Sequence, residues 1–97
     1  MSSLRFLSPA ETEMMAAARY YESQSRNLGR RFLRHVRETV DSIAAYPCAG
    51  AVVRGNVRRR LVHRFPFAVL YGVTPEEIVV TAIMDLRRDP EYWLYRL

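Results

Sequence analysis

The side chains of this sequence best equipped for chemistry are guanidinium groups. All fifteen basic residues are Arg and none is Lys. Arg is a planar, permanently charged fork that pairs in bidentate fashion with carboxylate or phosphate. These charges are not spread evenly. From Arg26 to Arg64 ten arginines stand against only Glu38 and Asp41, a balance of +8, which leaves the rest of the chain at −3. Arg54, Arg58, Arg59, Arg60 and Arg64 fall within eleven residues, and Arg87 and Arg88 precede a tail that carries Tyr92, Trp93 and Tyr95. A patch of this kind accepts acidic peptide or nucleic-acid phosphate, with strong salt dependence in either case. Charges that only guard a sheet edge against pairing have the same sequence pattern.

Proton-transfer candidates are few. Cleavage of RNA needs a base for the 2′-hydroxyl, an acid for the leaving oxygen and positive charge for the phosphorane. Arg59, Arg60, Arg87 or Arg88 could supply the charge and His63 the base, with Tyr92 and Tyr95 as the aromatic residues in the tail. His63 also fits a hydrogen-bonded structural role on a strand. His35 has no second histidine or carboxylate at ligand spacing along the chain, so no metal site is expected. Cys48 is the only cysteine, which excludes an internal disulfide and a Cys-rich zinc site. There is no Gly-rich phosphate loop, no nucleophile elbow and no evident carboxylate pair, so no cofactor is expected.

The elements that must position these groups are readable from periodicity. Leu4 to Leu7 suits a short strand. Ser8-Pro9-Ala10-Glu11 then carries a helix start, with Ser as cap and Pro at the first helical position. Met14, Ala17, Ala18 and Tyr21 keep helical spacing, which places the first helix over roughly Pro9 to Gln24. A second helix follows with the apolar stripe Leu28, Phe32, Val36, Val40 and Ile43. Arg26, Arg30, Arg34 and Arg37 recur on its outer face, where Arg34 and Arg37 can pair with Glu38 and Asp41 four residues on. Pro47 and Gly50 end this helix. After a loop over Cys48 to Asn56, three strands are expected: Val57 to His63, Phe67 to Val73 and Ile78 to Met84. Their short connections at Phe65-Pro66 and Thr74 to Glu77 call for antiparallel neighbours. The tail can form a short helix after Pro90.

The expected fold is therefore one α+β domain over residues 1–97, ordered β-α-α-β-β-β, with an antiparallel twisted sheet. A helical hairpin packs on one face and the other is left for a partner. With 49% hydrophobic residues, 97 residues support one modest core. No apolar run approaches the roughly 20 residues of a membrane helix. The first residues lack a secretory pattern, so a cytoplasmic location is expected.

The succession of features resembles the RelE/ParE superfamily of toxins from type II toxin–antitoxin systems. It rests on a helical hairpin ending at Tyr46-Pro47 and a Gly, then an Arg-rich strand, then Arg64-Phe65-Pro66-Phe67-Ala68-Val69-Leu70-Tyr71, and finally Arg87-Arg88-Asp89-Pro90-Glu91-Tyr92-Trp93. The tail is more similar to ParE-like members, although Asp85-Leu86 stand where such tails often carry a His. The resemblance implies a cognate antitoxin encoded by an adjacent gene, a toxin–antitoxin hetero-oligomer, and DNA gyrase as target. The alternative it allows is a metal-independent, ribosome-dependent messenger-RNA endonuclease. RelE-like members use Lys, Arg and a C-terminal Tyr for that reaction, and this chain has no Lys. A nucleic-acid-binding module without toxicity is the third reading. On the resemblance, Arg58, Arg59, Arg60, Arg64, Arg87, Arg88, Tyr92 and Trp93 are the expected contacts for target or antitoxin.

Overall fold

A computed structural model describes residues 3–97. Strand β1 (Ser3–Phe6) leads into helices α1 (Ser8–Gln24) and α2 (Leu28–Ala45), and a 3-10 turn (Pro47–Ala49) follows. Strands β2 (Ala51–Arg54), β3 (Val57–Leu61), β4 (Phe67–Val73) and β5 (Glu77–Asp85) complete the sheet, and a second 3-10 turn (Leu94–Arg96) closes the tail. No helix is long and apolar enough to cross a membrane, among the described residues.

The sheet runs β1-β5-β4-β3-β2. The expected antiparallel pairing of β3 with β4 and of β4 with β5 is present. Two features differ from the sequence reading. β1 pairs with β5 in parallel, Leu4 opposite Ile78, so the sheet is mixed. In addition, part of the supposed loop is strand β2, antiparallel to β3. The β2–β3 connection is Gly55-Asn56, and Gly55 has φ 55°. A positive φ in a two-residue hairpin loop suits Gly, so this dipeptide between Val53-Arg54 and Val57 carries the physical signal of a hairpin.

α1 begins one residue earlier than the Ser cap implies. Leu7 is the N-cap, and its carbonyl accepts from the N–H groups of Ala10 and Glu11 without any side-chain cap. At the α1–α2 turn Asn27 adopts φ 68°. The Glu22 carboxylate accepts from the backbone N–H of Asn27 at 2.9 Å and of Gly29 at 3.0 Å, satisfying donors that the start of α2 would leave orphaned. Gly29 is required by proximity, since a Cβ there would collide with the Ala18 carbonyl of α1.

The helical hairpin covers one sheet face. Phe32, Val36 and Ile43 of the predicted stripe are buried, with Val40 packed beside them, against Val62, Phe67, Val69, Tyr71, Ile78, Val80 and Ile83. Tyr21, Phe32, Phe65 and Phe67 form an aromatic cluster with edge and tilted contacts, Tyr21 to Phe65 being 4.9 Å between centroids. The second face is not wholly free, as the sequence reading had it. Trp93 packs onto Val57, Ala68, Leu70, Ala82 and Met84 with Tyr92 and Leu94 alongside, so the tail covers part of it.

Candidate partner-binding surface

Three consecutive arginines of β3 have three different fates. Arg58 faces the helical side, opposite Tyr71, and its Nη1 donates to the carbonyls of Cys48 at 3.0 Å and Gly50 at 2.9 Å. Arg60, two residues on, points the same way and donates from Nη2 to Ser42 Oγ of α2 at 2.8 Å. Both guanidiniums are thus committed to holding β3 against α2 and its terminal turn. Arg59 lies between them on the opposite face, opposite Leu70, and is exposed. Leu61 shares that face and is 59% exposed, a large apolar side chain beside a free cation.

The terminal turn of α2 has a second fastening. The buried Tyr71 hydroxyl donates to the Pro47 carbonyl at 2.8 Å and accepts from the Gly50 N–H at 3.2 Å. Gly50 lies so close to this hydroxyl and to the Arg59 carbonyl that a Cβ would clash with both. The Pro47 to Gly50 segment therefore fixes where β2 departs.

The β3–β4 turn carries Arg64 in the left-handed region at φ 68°, exposed, with its Nε donating to His63 Nε2 at 3.3 Å. The His63 and His35 rings lie 5.5 Å apart, and His35 Nδ1 is 3.2 Å from Glu38 Oε1 without hydrogen-bond alignment. The fold thus brings His63 to His35, while the carboxylate neighbour, Glu38, stands three residues along the same helix, a spacing that the sequence reading passed over. Even so, among the described residues no three His, Cys, Asp or Glu side chains are grouped to hold a metal ion. The local pairs expected on α2 do not form, since Glu38 turns to His35 and neither Arg34 nor Arg37 has a carboxylate within 4.0 Å among the described residues.

Arg87, Arg88 and Tyr92 are brought together at the end of β5. With Asp85, Glu13, Thr12, Tyr20 and neighbours they line an open cleft of about 520 Å³ between α1 and the tail. Arg87 makes a bidentate pair with Asp85, Nε to Oδ1 at 2.9 Å and Nη2 to Oδ2 at 2.8 Å. These hydrogen bonds hold the Asp85 carboxyl below its ordinary range. Arg88 lies over the Tyr92 ring, 4.9 Å from its centroid. Burial, then the neighbouring Glu13 carboxylate, raises the Tyr92 phenol well above its ordinary range. This tyrosine stays protonated and is unsuited to act as a base at neutral pH. His63, Arg59 and Arg60 do not line the cleft. Trp93 is 1% exposed, which makes it part of the tail's anchor in this chain.

The residues that the sequence reading missed are those that hold the tail. Arg96 donates from Nη1 to Glu13 Oε1 at 2.9 Å and from Nη2 to Oε2 at 3.0 Å, with side chains 7% and 17% exposed. Arg96 also donates to the Thr81 carbonyl at 3.1 Å, and Glu13 Oε1 accepts from the Ile83 N–H at 3.1 Å. Both backbone groups flank a bulge, where the step from Leu70 to Tyr71 on β4 spans Ala82 to Val80 on β5 and leaves Thr81 unpaired. The Arg96 guanidinium is further flanked by Tyr92 and Tyr95, 5.1 and 5.5 Å from their centroids. The bulge exposes the groups that the ion pair satisfies. No local pattern could reveal it, for the partners are 83 residues apart.

The result is a two-layer α+β domain with a helical hairpin on one sheet face and an arginine-bearing, partly apolar surface on the other. Residues 4–90 match the family model described as the ParE toxin of the type II toxin–antitoxin system, parDE. The chain belongs to this family, and its role is that of the toxin component. The fold is similar to a solved chain titled "Chromosomal ParDE TA system from P. aeruginosa", with TM-score 0.67 and 23% identity over 89% of this chain and 97% of that one. No curated protein sequence matches the chain significantly.

Proposed function

We propose that this toxin acts by binding, with DNA gyrase as its target, and that a cognate antitoxin neutralises it by covering the second sheet face. The observation that carries a non-enzymatic reading is the dispersal of the acid–base candidates. Arg59 and Arg60 point to opposite faces, and His63, the candidate base, lies beside His35 outside the cleft that gathers Arg87, Arg88 and Tyr92. A ribosome-dependent endonuclease would need these groups around one phosphate.

The antitoxin surface follows from mixed chemistry. Arg59 and Leu61 offer a cation and an apolar contact on the same strand, and Val52 and Val53 of the edge strand β2 are 60% and 42% exposed. An edge strand leaves backbone donors and acceptors open to an extended segment. An antitoxin segment with acidic and apolar residues, ordering as it binds, suits this combination. Arg87, Arg88 and the exposed Tyr95 and Leu97 of the tail are assigned to the target.

Induced expression of the chain alone in bacteria tests the reading, with plasmid supercoiling, double-strand breaks and messenger-RNA cleavage followed together. Relaxed or broken DNA with intact messages is expected. Codon-phased message cuts with normal DNA would replace this reading by the endonuclease, and duplex binding without growth arrest by the non-toxic module. An adjacent small reading frame for a DNA-binding antitoxin is expected in the genome, and co-expression of its product should abolish the growth defect.

A further inference from the structure

The outer edge of α2 has a separate chemistry. Arg30, Arg31 and Arg34 together with Asn27 line an open concavity of about 430 Å³. Arg31 also borders the adjoining depression of about 350 Å³, which Arg64 and His35 share. One continuous surface therefore carries four guanidiniums. None of the four has a carboxylate within 4.0 Å among the described residues. The nearby Glu22 carboxylate is occupied by the backbone N–H groups of Asn27 and Gly29.

This placement opposes helix stability. Arg30, Arg31 and Arg34 lie in the first two turns of α2, at the positive end of its dipole, where cations are disfavoured. Arg30 and Arg34 are also like charges at the i,i+4 spacing. A cost of this kind with no internal compensation is relieved by an anionic partner. The apolar inventory indicates which one. None of the exposed large hydrophobic side chains lines either depression, where Tyr21, Leu28 and Phe65 are half-buried. Protein partners are anchored by buried aromatic and aliphatic groups. Nucleic-acid interfaces are more polar and far more positive. Single strands would call for exposed aromatic stacking platforms, whereas Tyr21 and Phe65 in the adjoining depression are half-buried against each other, and a duplex backbone needs only the charges.

We propose that the Arg30, Arg31, Arg34 and Arg64 surface docks the phosphate backbone of duplex DNA, independently of base sequence. It belongs to the helical layer, so DNA and a protein bound to the opposite sheet face can be held together. The choice of DNA over duplex RNA rests on the gyrase reading. The test contains no gyrase, so the two can fail separately.

Fluorescence anisotropy of the purified chain with a labelled DNA duplex of unrelated sequence is measured across a salt series. The slope of log K against log salt is about −0.9 per phosphate neutralised, so four contacts predict about −3 to −4. Arg30→Gln/Arg31→Gln/Arg34→Gln should reduce its magnitude by about 2 to 3 and weaken binding at least about tenfold at low salt. Gln keeps the helix propensity of Arg, and the residues are exposed, so folding is retained. The corresponding triple Arg→Lys variant should keep the slope. Arg5→Gln/Arg19→Gln/Arg54→Gln, a charge-matched control elsewhere, should leave it nearly unchanged. Equal losses in the control and the Gln triple would overturn the proposal, as would an unaffected Gln triple or no binding by the native chain. Duplex RNA preferred tenfold over DNA would overturn the assignment to DNA. Displacement by an acidic peptide at lower charge equivalents than DNA would instead make this a protein-binding surface.

Discussion

Removing Glu13 should release the C-terminal tail, and the structure gives the size of the effect. Glu13→Ala deletes the counter-charge of a guanidinium that is 7% exposed and the acceptor for the Ile83 N–H. Breaking one side of a buried ion pair costs about 3 to 5 kcal/mol, because the remaining charge stays desolvated. A domain of this size has about 5 to 15 kcal/mol of stability in total, so the loss is a large fraction. At about 4 to 8 °C per kcal/mol, the midpoint of thermal unfolding should fall by at least about 12 °C. Glu13→Gln retains an acceptor for Ile83 and should cost less, about 1 to 3 kcal/mol. Arg96→Met alone strands the Glu13 carboxylate. The Glu13→Ala/Arg96→Met double variant has no unpaired charge and should be less damaged than the sum of its parts, with a coupling of about 2 kcal/mol. Urea unfolding of the four species completes the cycle. Trp93, the single tryptophan, is a local reporter: it is 1% exposed and should shift to a solvated emission when the tail lets go. The account is wrong if the single variants add without coupling, or if Trp93 emission in Glu13→Ala stays native under native conditions.

Arg58→Ala should lose about 1.5 to 3 kcal/mol by abandoning the Cys48 and Gly50 carbonyls, whereas Arg59→Ala should change stability by less than about 0.5 kcal/mol and weaken antitoxin binding in titration calorimetry. Tyr71→Phe leaves the Pro47 carbonyl and Gly50 N–H without their buried partner and should cost about 1 to 3 kcal/mol, read from the urea midpoint. The Asp85 carboxyl is held below its ordinary value by Arg87, so its contribution to stability is complete above the ordinary carboxylate range and is lost as pH falls through the lowered value. Thermal melts should therefore show a decline on acidification below about pH 4 that is smaller in Asp85→Asn.

The periodic parts of the chain were legible because burial writes them into the sequence. The stripe from Phe32 to Ile43 predicted both α2 and the face it buries, and the limits Phe67–Val73 of β4 follow from an apolar run covered on both faces. β2 was missed because all four of its residues are exposed and show no alternation. Its one signal was the Gly55-Asn56 dipeptide. The parallel pairing of β1 was hidden because β1 and β5 are separated by the rest of the fold, so no turn between them reveals their direction. The candidate surface was legible as composition but not as geometry. Alternation required the β3 arginines to divide between the faces, yet only the positions of Ser42, Cys48 and Gly50 show that Arg58 and Arg60 are consumed internally and Arg59 is free. The Glu13–Arg96 pair had no local signature.

The division of labour among the arginines bears on how a neutralised toxin differs from a free one. An antitoxin seated over Arg59, Leu61 and the β2 edge would cover the sheet face and crowd the tail, because Trp93 packs on the sheet that Leu61 continues. Its acidic groups would have no route to Arg30, Arg31 and Arg34, which lie on the helical layer at the far side of the core. Neutralisation in this arrangement blocks the target without discharging α2, and the complex keeps a basic edge. Salt dependence should then separate the two functions. With Arg58 and Arg60 consumed internally, an antitoxin seated at Arg59 and Leu61 would combine one or two ion pairs with apolar burial and should resist moderate salt better than the sequence pattern implies, while contacts of the α2 edge, whose exposed groups are charges, should vanish first.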